Sequence, residues 1–415
     1  MNKQRPLFGV ITTTVAHRHR STRSRVAYQP GATWQDLEQR ADELGLTTCL
    51  FRPEDLDMKR ARVHGWVCSR TQGSGDQGSK VWRRVNCPLP DVVYENVFVH
   101  LSKTRVVKQV RNYFQQRQIP VFNPRLGDKA ELADWLRHYP ELWKHHPETV
   151  LLTSPKEVSG LLQRYPSVYL KPVLGSAGQG IIEIRQTGTG RYRVSAVKYG
   201  KDKRFFTKEL TNAKVLEFVK RERKRLRYIV QAGCELLWVS DGKIDLRTHL
   251  QRNLQGEWEL VGLIVKRGSP GSIVSNYHAG GSVHSWEWLK KWAENQGVGL
   301  PRRRAVIELS KEICAAYAVK HPHLASLGLD LGIDRDGKIW LLDVNARPGR
   351  NILEREQKGQ CQKLNAEFAK FLCYNMEKGA EEQVDDKENG RVGANPDRRA
   401  VFGLDPDQHR HDGQR

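Results

Sequence analysis

The segment Asp330-Leu-Gly-Ile-Asp-Arg-Asp-Gly337-Lys-Ile-Trp-Leu-Leu-Asp343-Val-Asn345 constrains the fold more than any other stretch of the chain. Two short apolar runs flank an Asp-Gly turn, the pattern of a β-hairpin. The hairpin carries Asp330, Asp343 and Asn345 to one end. Asp343 and Asn345 are two apart, so on a strand their side chains leave the same face. Three hard oxygen donors converging where a strand ends suit Mg²⁺, which takes one or two protein carboxylates and completes its octahedron with water and phosphate oxygens. An ordinary hairpin with acidic ends has the same pattern, so this segment alone leaves both readings open.

The remaining 400 or so positions narrow the class of protein. A chain of 415 residues, 38% hydrophobic and 28% charged, is long enough for two or three domains around a sizeable core. No run approaches the roughly 18 apolar residues of a membrane span. The first residues, Met1 to Phe8, contain no signal-peptide core, so the expectation is a cytoplasmic protein with no membrane insertion. Seven cysteines, odd in number and without a Cys-x-x-Cys pair, indicate neither a disulfide framework nor a zinc site.

A net charge of +22, from 69 basic against 47 acidic residues, calls for an anionic partner. Nucleic acid, an anionic polymer or a phosphate-bearing ligand would each be attracted to it. The basic clusters are Arg18 to Arg25, Lys220 to Arg227 and Arg302 to Arg304. The run Lys220 to Arg227 has no aromatic for base stacking and no recognised nucleic-acid motif beside it. Nucleic acid is therefore set aside, and a solvated helix face is the plain reading of that run.

Strand and helix signals alternate over the first 125 residues. Strands are expected at Pro6 to Thr13, Thr47 to Phe51, Asp91 to Tyr94 and Ile119 to Asn123, with helices at Trp34 to Leu46 and Leu101 to Gln116. That alternation predicts a small open sheet flanked by helices, interrupted by a Gly/Ser loop from Thr71 to Ser79. A second unit is expected over 126–376, of mixed α/β (α+β) class. In it Ser154-Pro-Lys-Glu157 forms a capping box with Pro at the first helical position. Further strands are predicted at Val168 to Leu170, Ile181 to Ile184, Arg227 to Gln231, Lys243 to Gln251 and Trp258 to Val265, the last two joined by the hairpin signal Asn253 to Gly256. A helix after Pro301 and another from Asn351 to Asn375 complete it. Residues 377–415 lack apolar spacing and are expected to be a disordered tail.

Chemistry is suggested at several further places. Lys171-Pro-Val-Leu-Gly175-Ser176-Ala177-Gly178-Gln-Gly180 lies between two strands. Glycines free the backbone to curl its N–H groups around phosphate oxygens, and the lysine adds a fixed positive charge. A structural hairpin loop has a similar composition. Asp245-Leu-Arg247 places an acid and a base on one strand face, which also describes a surface ion pair. Lys266, then Asn276 and His278 before Gly280-Gly281, supply cations and an amide after the next strand, suited to clamping a transferring phosphoryl group. For His278 a structural histidine is the plainer role.

Taken in order, these pieces resemble the ATP-grasp superfamily over about 250 residues. The chain more specifically resembles the endospore-coat-associated YheC/YheD-like ATP-grasp family over nearly all of its length before the tail. The matching phrases are Pro88 to Tyr94, Ile119-Pro-Val-Phe-Asn-Pro124, Leu126-Gly-Asp-Lys129, Pro147-Glu-Thr149, Val168 to Pro172 and Gly328-Leu-Asp330.

The resemblance implies an ATP-grasp fold with an N-terminal pre-ATP-grasp domain over 1–125. It implies a central lid part at about 150–230 and a metal-binding part at about 231–376. It also implies roles for single residues. Lys129 and Lys171 would contact ATP phosphates, with Gly175, Ser176, Ala177, Gly178 and Gly180 as a lid. Gln231 and Ala232 would read the adenine edge, and Asp245 would accept from the ribose hydroxyls. Arg247, Lys266 and Asn276 would hold phosphate or an acyl-phosphate. Asp330, Asp343 and Asn345 would hold Mg²⁺, with Mn²⁺ as a substitute.

The implied activity is an ATP- and Mg²⁺-dependent carboxylate ligase acting through an acyl-phosphate, associated with the spore coat. The alternative is a structural coat component that keeps the nucleotide-binding shell. A spore-coat protein or a polyanionic polymer is the implied macromolecular partner. One departure stands out: most of the family has Glu where this chain has Asp343, a carboxylate one methylene shorter.

Overall fold

The computed structural model describes residues 5–13, 16–19, 27–70, 80–97, 101–124, 126–175, 178–197, 205–270, 273 and 281–388. The Gly/Ser loop at 71–79, Ser176, Ala177, Asn276, His278, most of the first basic cluster and positions 389–415 lie outside them. Three large sheets organise the described chain.

The first is built on four parallel strands, Thr47–Phe51, Leu7–Thr12, Val92–Asn96 and Val121–Phe122, in that spatial order. Such strands are covered on both faces. Helix Arg105–Gln116 buries Val107, Val110 and Phe114, three to four residues apart, against Ile11, Cys49 and Phe51. On the opposite face, Trp34, Leu37 and Ala41 of helix Ala32–Glu43 meet Phe368, Ala369 and Leu372 of the C-terminal helix. The end of the chain thus seals the N-terminal sheet. A long hairpin, Arg62–Arg70 and Lys80–Pro88, extends this sheet and was not foreseen. Its second strand is largely exposed, so it shows no apolar alternation to read.

The second sheet is antiparallel, in the order Thr149–Leu151, Tyr228–Ala232, Ser167–Pro172, Ile182–Gly188, Arg191–Val197, Phe205–Thr211. The expected capping box opens helix Pro155–Leu162. The Ser154 hydroxyl accepts from the Lys156 N–H at 3.1 Å, and the Ser154 N–H donates to Glu157 at 2.8 Å. Helix Asn212–Arg225 turns Val215, Phe218 and Val219 inward, which leaves Lys220, Arg221, Arg223, Lys224 and Arg225 exposed.

The third sheet, also antiparallel, runs Ser282–His284, Trp258–Arg267, Gly242–Arg252, Ser326–Ile333, Ile339–Asn345. Helix Arg303–Lys320 packs Val306, Ile313 and Tyr317 into its core. Both expected hairpins form, and Gly256 and Gly337 each supply the positive φ, 77°, that the turn requires.

The C-terminal helix needs a correction. It runs Arg355–Glu388, well past the expected end near Asn375 and twelve residues into the segment expected to be disordered from 377. That stretch is rich in Glu, Gln, Lys and Ala, good helix formers even without an apolar stripe to mark them.

Candidate functional site

Strand register gathers the chemistry. In an antiparallel pair, residues directly opposite share a face, and along one strand every second residue returns to it. Asp245 lies opposite Lys266, Arg247 opposite Asp330, and Asp330 opposite Asp343. Asn345 lies opposite Gly328. Lys266, Asp245, Arg247, Asp330, Asp343 and Asn345 therefore stand on one face of the third sheet, spread over four adjacent strands.

Their contacts form one ionic lattice. Arg247 grips Asp330 with two parallel bonds, Nε to Oδ1 at 3.0 Å and Nη2 to Oδ2 at 2.9 Å. Lys266 Nζ lies 2.8 Å from Asp330 and 2.8 Å from Asp245. Asn345 Nδ2 donates to Asp330 Oδ2 at 3.2 Å. Burial alone would raise the Asp330 carboxyl, but Arg247 and Lys266 outweigh it and hold the group down at about 2. Asp245 goes the other way. Burial, aided by the Asp330 charge, pushes it up to about 6 despite Lys266.

One irregularity shapes this wall. Asp330 pairs with Asp343 but Leu331 pairs with Leu341, so Leu342 is an extra residue in its strand, a bulge. Both Leu342 and Asp343 line the cleft as a result, breaking strict alternation. The Leu342 carbonyl, left over by the ladder, accepts from Lys171 Nζ at 3.1 Å.

The facing wall comes from the second sheet and the helix Lys129–Leu136. Asp128 caps that helix, accepting from the Ala130 and Glu131 N–H groups, and this fixes Lys129 at the first turn, where its ammonium pairs with Asp343. Lys171 also donates to Gln231 Oε1 at 2.5 Å, and Gln231 Nε2 donates to Thr149 at 3.0 Å. Burial, with Lys129 and Lys243 nearby, lowers the Lys171 ammonium to about 8 even though Asp343 pulls the other way. Gly175 and Gly178 line the cleft, and Gly178 and Gly180 take φ of 70° and 72°. Ala232 follows Gln231 along the same rim.

Every described residue of the expected set except Gly180 lines this one cavity. Asp245 is bound to Lys266 and stands in the Arg247–Asp330 group, so its carboxylate is already engaged. Sequence reading missed Tyr169, Lys243, Cys234, Leu236, Ile181 and Leu342, which also line it. Two were within reach by alternation alone. Lys243 is two before Asp245, and Tyr169 is two before Lys171. They meet in the structure, since Lys243 Nζ donates to the Tyr169 hydroxyl at 3.0 Å and that hydroxyl donates to Glu183 at 2.6 Å.

Among the described residues, five cations (Lys129, Lys171, Lys243, Arg247, Lys266) and three carboxylates (Asp245, Asp330, Asp343) line the cavity, a positive surplus suited to a polyphosphate. No cluster of three or more His, Cys, Asp or Glu side chains converges among the described residues. Two carboxylates and one amide on one face nonetheless fit a hard cation that draws its other ligands from water and phosphate.

Gly328 leaves room for the clamp. A Cβ there would lie 2.5 Å from Arg247 Nη1 and 2.6 Å from Pro348 Cβ. Gly328→Ala is expected to cost about 1–3 kcal/mol in chemical denaturation. A value near zero would mean that the guanidinium is not confined.

Comparisons with known proteins identify the family. The family model for YheC/D-like ATP-grasp proteins matches residues 118–372, more than half of the chain. The endospore coat-associated protein YheC of Bacillus subtilis (strain 168) is 26% identical over 340 residues, covering 78% of this chain and 88% of that protein. The endospore coat-associated protein YheD of the same organism is 28% identical over 280 residues, covering 65% of this chain and 59% of its own length. Among solved structures, the D-alanine-D-alanine ligase from Coxiella burnetii aligns with a TM-score of 0.46 and 11% identity, over 94% of this chain and 100% of that one. The chain belongs to the YheC/D-like ATP-grasp family.

Proposed function

We propose that the protein is an ATP- and Mg²⁺-dependent ligase that activates a carboxylate for attack by an amine or similar nucleophile. The observation that carries this reading is the single sheet face bearing Lys266, Asp245, Arg247, Asp330, Asp343 and Asn345 opposite Lys129 and Lys171. Bound Mg-ATP would supply a γ-phosphoryl group to a substrate carboxylate oxygen, releasing ADP, and the nucleophile would then displace phosphate from the acyl carbon.

Asp330, Asp343 and Asn345 hold the metal in this reading, with Mn²⁺ as a substitute for Mg²⁺. Lys129 and Lys171 bind phosphate oxygens from one wall, and Arg247, Lys266 and Asn276 neutralise developing charge from the other. The segment Gly175 to Gly180, including Ser176 and Ala177, covers the phosphates. Gln231 and Ala232 border the base, and Asp245 serves the ribose or, through Lys266, the phosphate group. Positioning and electrostatics do the catalytic work, with no covalent nucleophile from the chain.

Residues 1–125 form the pre-ATP-grasp domain, about 150–230 the lid and about 231–376 the metal-binding part. The names of the relatives YheC and YheD, both called endospore coat-associated, support association with the spore coat in this reading. Among the described residues no helix is long and apolar enough to cross a membrane. A polyanionic partner would meet the exposed basic helix Asn212–Arg225.

Purified protein given Mg-ATP and candidate acids and amines should release ADP, and Lys171→Ala or Asp330→Ala should suppress it. Turnover surviving both substitutions contradicts the assignment. A second reading, a nucleotide-binding coat component without turnover, is favoured by one observation. Both candidate metal carboxylates are already paired with cations of the chain, Asp330 with Arg247 and Lys266, and Asp343 with Lys129. It predicts heat stabilisation by Mg-ATP without ADP release.

A further inference from the structure

The phrase Ile119-Pro-Val-Phe-Asn123-Pro124 contributes no residue to the cleft, yet Asn123 has an unusual environment. It is buried and takes a left-handed backbone, φ 59°, at the end of strand Val121–Phe122. Such a conformation is uncommon outside glycine, although Asn tolerates it best. All of its described polar contacts reach the metal-binding part of the chain. Its N–H donates to the His323 carbonyl at 3.1 Å, its Oδ1 accepts from the Ala325 N–H at 3.3 Å, and its carbonyl accepts from Arg347 Nη2 at 3.1 Å.

Arg347 is the counterpart. It stands two residues beyond Asn345, and among the described residues every acceptor it binds lies in the N-terminal domain. Nη2 donates to Glu95 Oε1 at 2.7 Å as well as to Asn123, and Nη1 donates to the Val97 carbonyl at 2.8 Å. Glu95 is 1% exposed and is also gripped by Arg111 through Nε, at 2.6 Å, and Nη2. Arg111 in turn donates to the Ser102 carbonyl at 3.0 Å. The guanidinium is therefore anchored at the parallel N-terminal sheet, and the chain it anchors carries Asn345, whose amide donates to Asp330. Arg350, three residues further on, makes one bond of this kind, to the Tyr94 hydroxyl at 3.1 Å.

We propose that Arg347, clasped by Glu95 and Asn123, is a positioning residue through which the N-terminal domain holds Asn345 in register with Asp330 and Asp343. The proposal rests on the metal-binding reading of those three residues. Groups that orient metal ligands from outside typically govern metal affinity by about 10–100-fold when removed.

The test compares R347Q, E95Q and R350Q with the native protein in thermal melts with saturating ATP across a Mg²⁺ titration, and in ATP binding with a chelator present. For R347Q the Mg²⁺ concentration giving half of the stabilisation should rise about tenfold, while metal-free ATP affinity and the R350Q midpoint stay near native. E95Q, which keeps shape but removes charge, should shift in the same direction and covers the case that R347Q fails to fold. An unchanged midpoint in both R347Q and E95Q, or an equal shift in R350Q, overturns the proposal by reducing Arg347 to a structural tie. A native protein showing no Mg²⁺-dependent stabilisation by ATP instead overturns the metal-binding reading, and the proposal with it.

Discussion

Asp330→Asn should abolish Mg²⁺-dependent nucleotide binding and destabilise the protein together, because one carboxylate serves both ends. Asp330 is the only described acceptor of the Arg247 clamp and shares Lys266 with Asp245. Removing its charge leaves two buried cations facing a single carboxylate. Breaking a buried pair in this way costs about 3–5 kcal/mol, well beyond a surface ion pair.

The pH dependence follows with a definite sign. The folded carboxyl lies at about 2, below its ordinary 3.8, so its contribution is present above about pH 4 and is lost as pH falls from there toward 2. Acid titration of stability should therefore be steeper over that window in the native protein than in Asp330→Asn. Equal slopes, together with retained metal-dependent binding, would remove Asp330 from the centre of the account.

Lys171→Met should separate binding from stability. The side chain is buried, with its ammonium lowered to about 8 chiefly by burial. An apolar side chain of similar length relieves that cost, so stability should stay near native or rise. Nucleotide affinity should nevertheless fall about 100-fold, roughly 2.7 kcal/mol, as expected for losing charge-assisted bonds to phosphate.

The depressed lysine acts on stability in the same direction as Asp330, in a higher pH window. Between about pH 8 and the ordinary 10.5 the unfolded chain holds this proton and the folded one does not, so its contribution to stability rises with pH. The protonated form, which binds phosphate in the proposed reading, is lost over the same window. Affinity should decline above about pH 8, and binding there should take up a proton, visible by calorimetry in buffers of different ionisation enthalpy. Absence of both effects in the native protein would place Lys171 away from the phosphates.

Much of this cleft was legible because strands write their faces in alternate residues. Asp343 with Asn345, and Asp245 with Arg247, were placed by that rule alone. The same rule reaches Tyr169 and Lys243 once Lys171 and Asp245 are chosen. Leu342 is different. It enters the cleft through a bulge, and no periodic pattern announces one extra residue in a strand.

The partners within the cleft were not legible either. That Lys266 bridges Asp245 and Asp330 depends on which strands pair in the third sheet, and that Lys129 meets Asp343 across more than two hundred residues depends on how a helix meets that sheet. The exposed strand Lys80–Pro88 and the end of the last helix were missed for a related reason. Neither carries a regular apolar stripe in its sequence, so propensity and pairing carry them without a periodic signal.

The central claim is that this cleft binds ATP through a metal held on the third sheet. Calorimetric titration of ATP into the native protein, with Mg²⁺ and again with a chelator, tests it most directly. The account predicts one site per chain, binding that weakens sharply without the metal, and no metal-dependent component in Asp330→Asn. Absence of binding, or equal affinity with and without Mg²⁺ in both proteins, would contradict it.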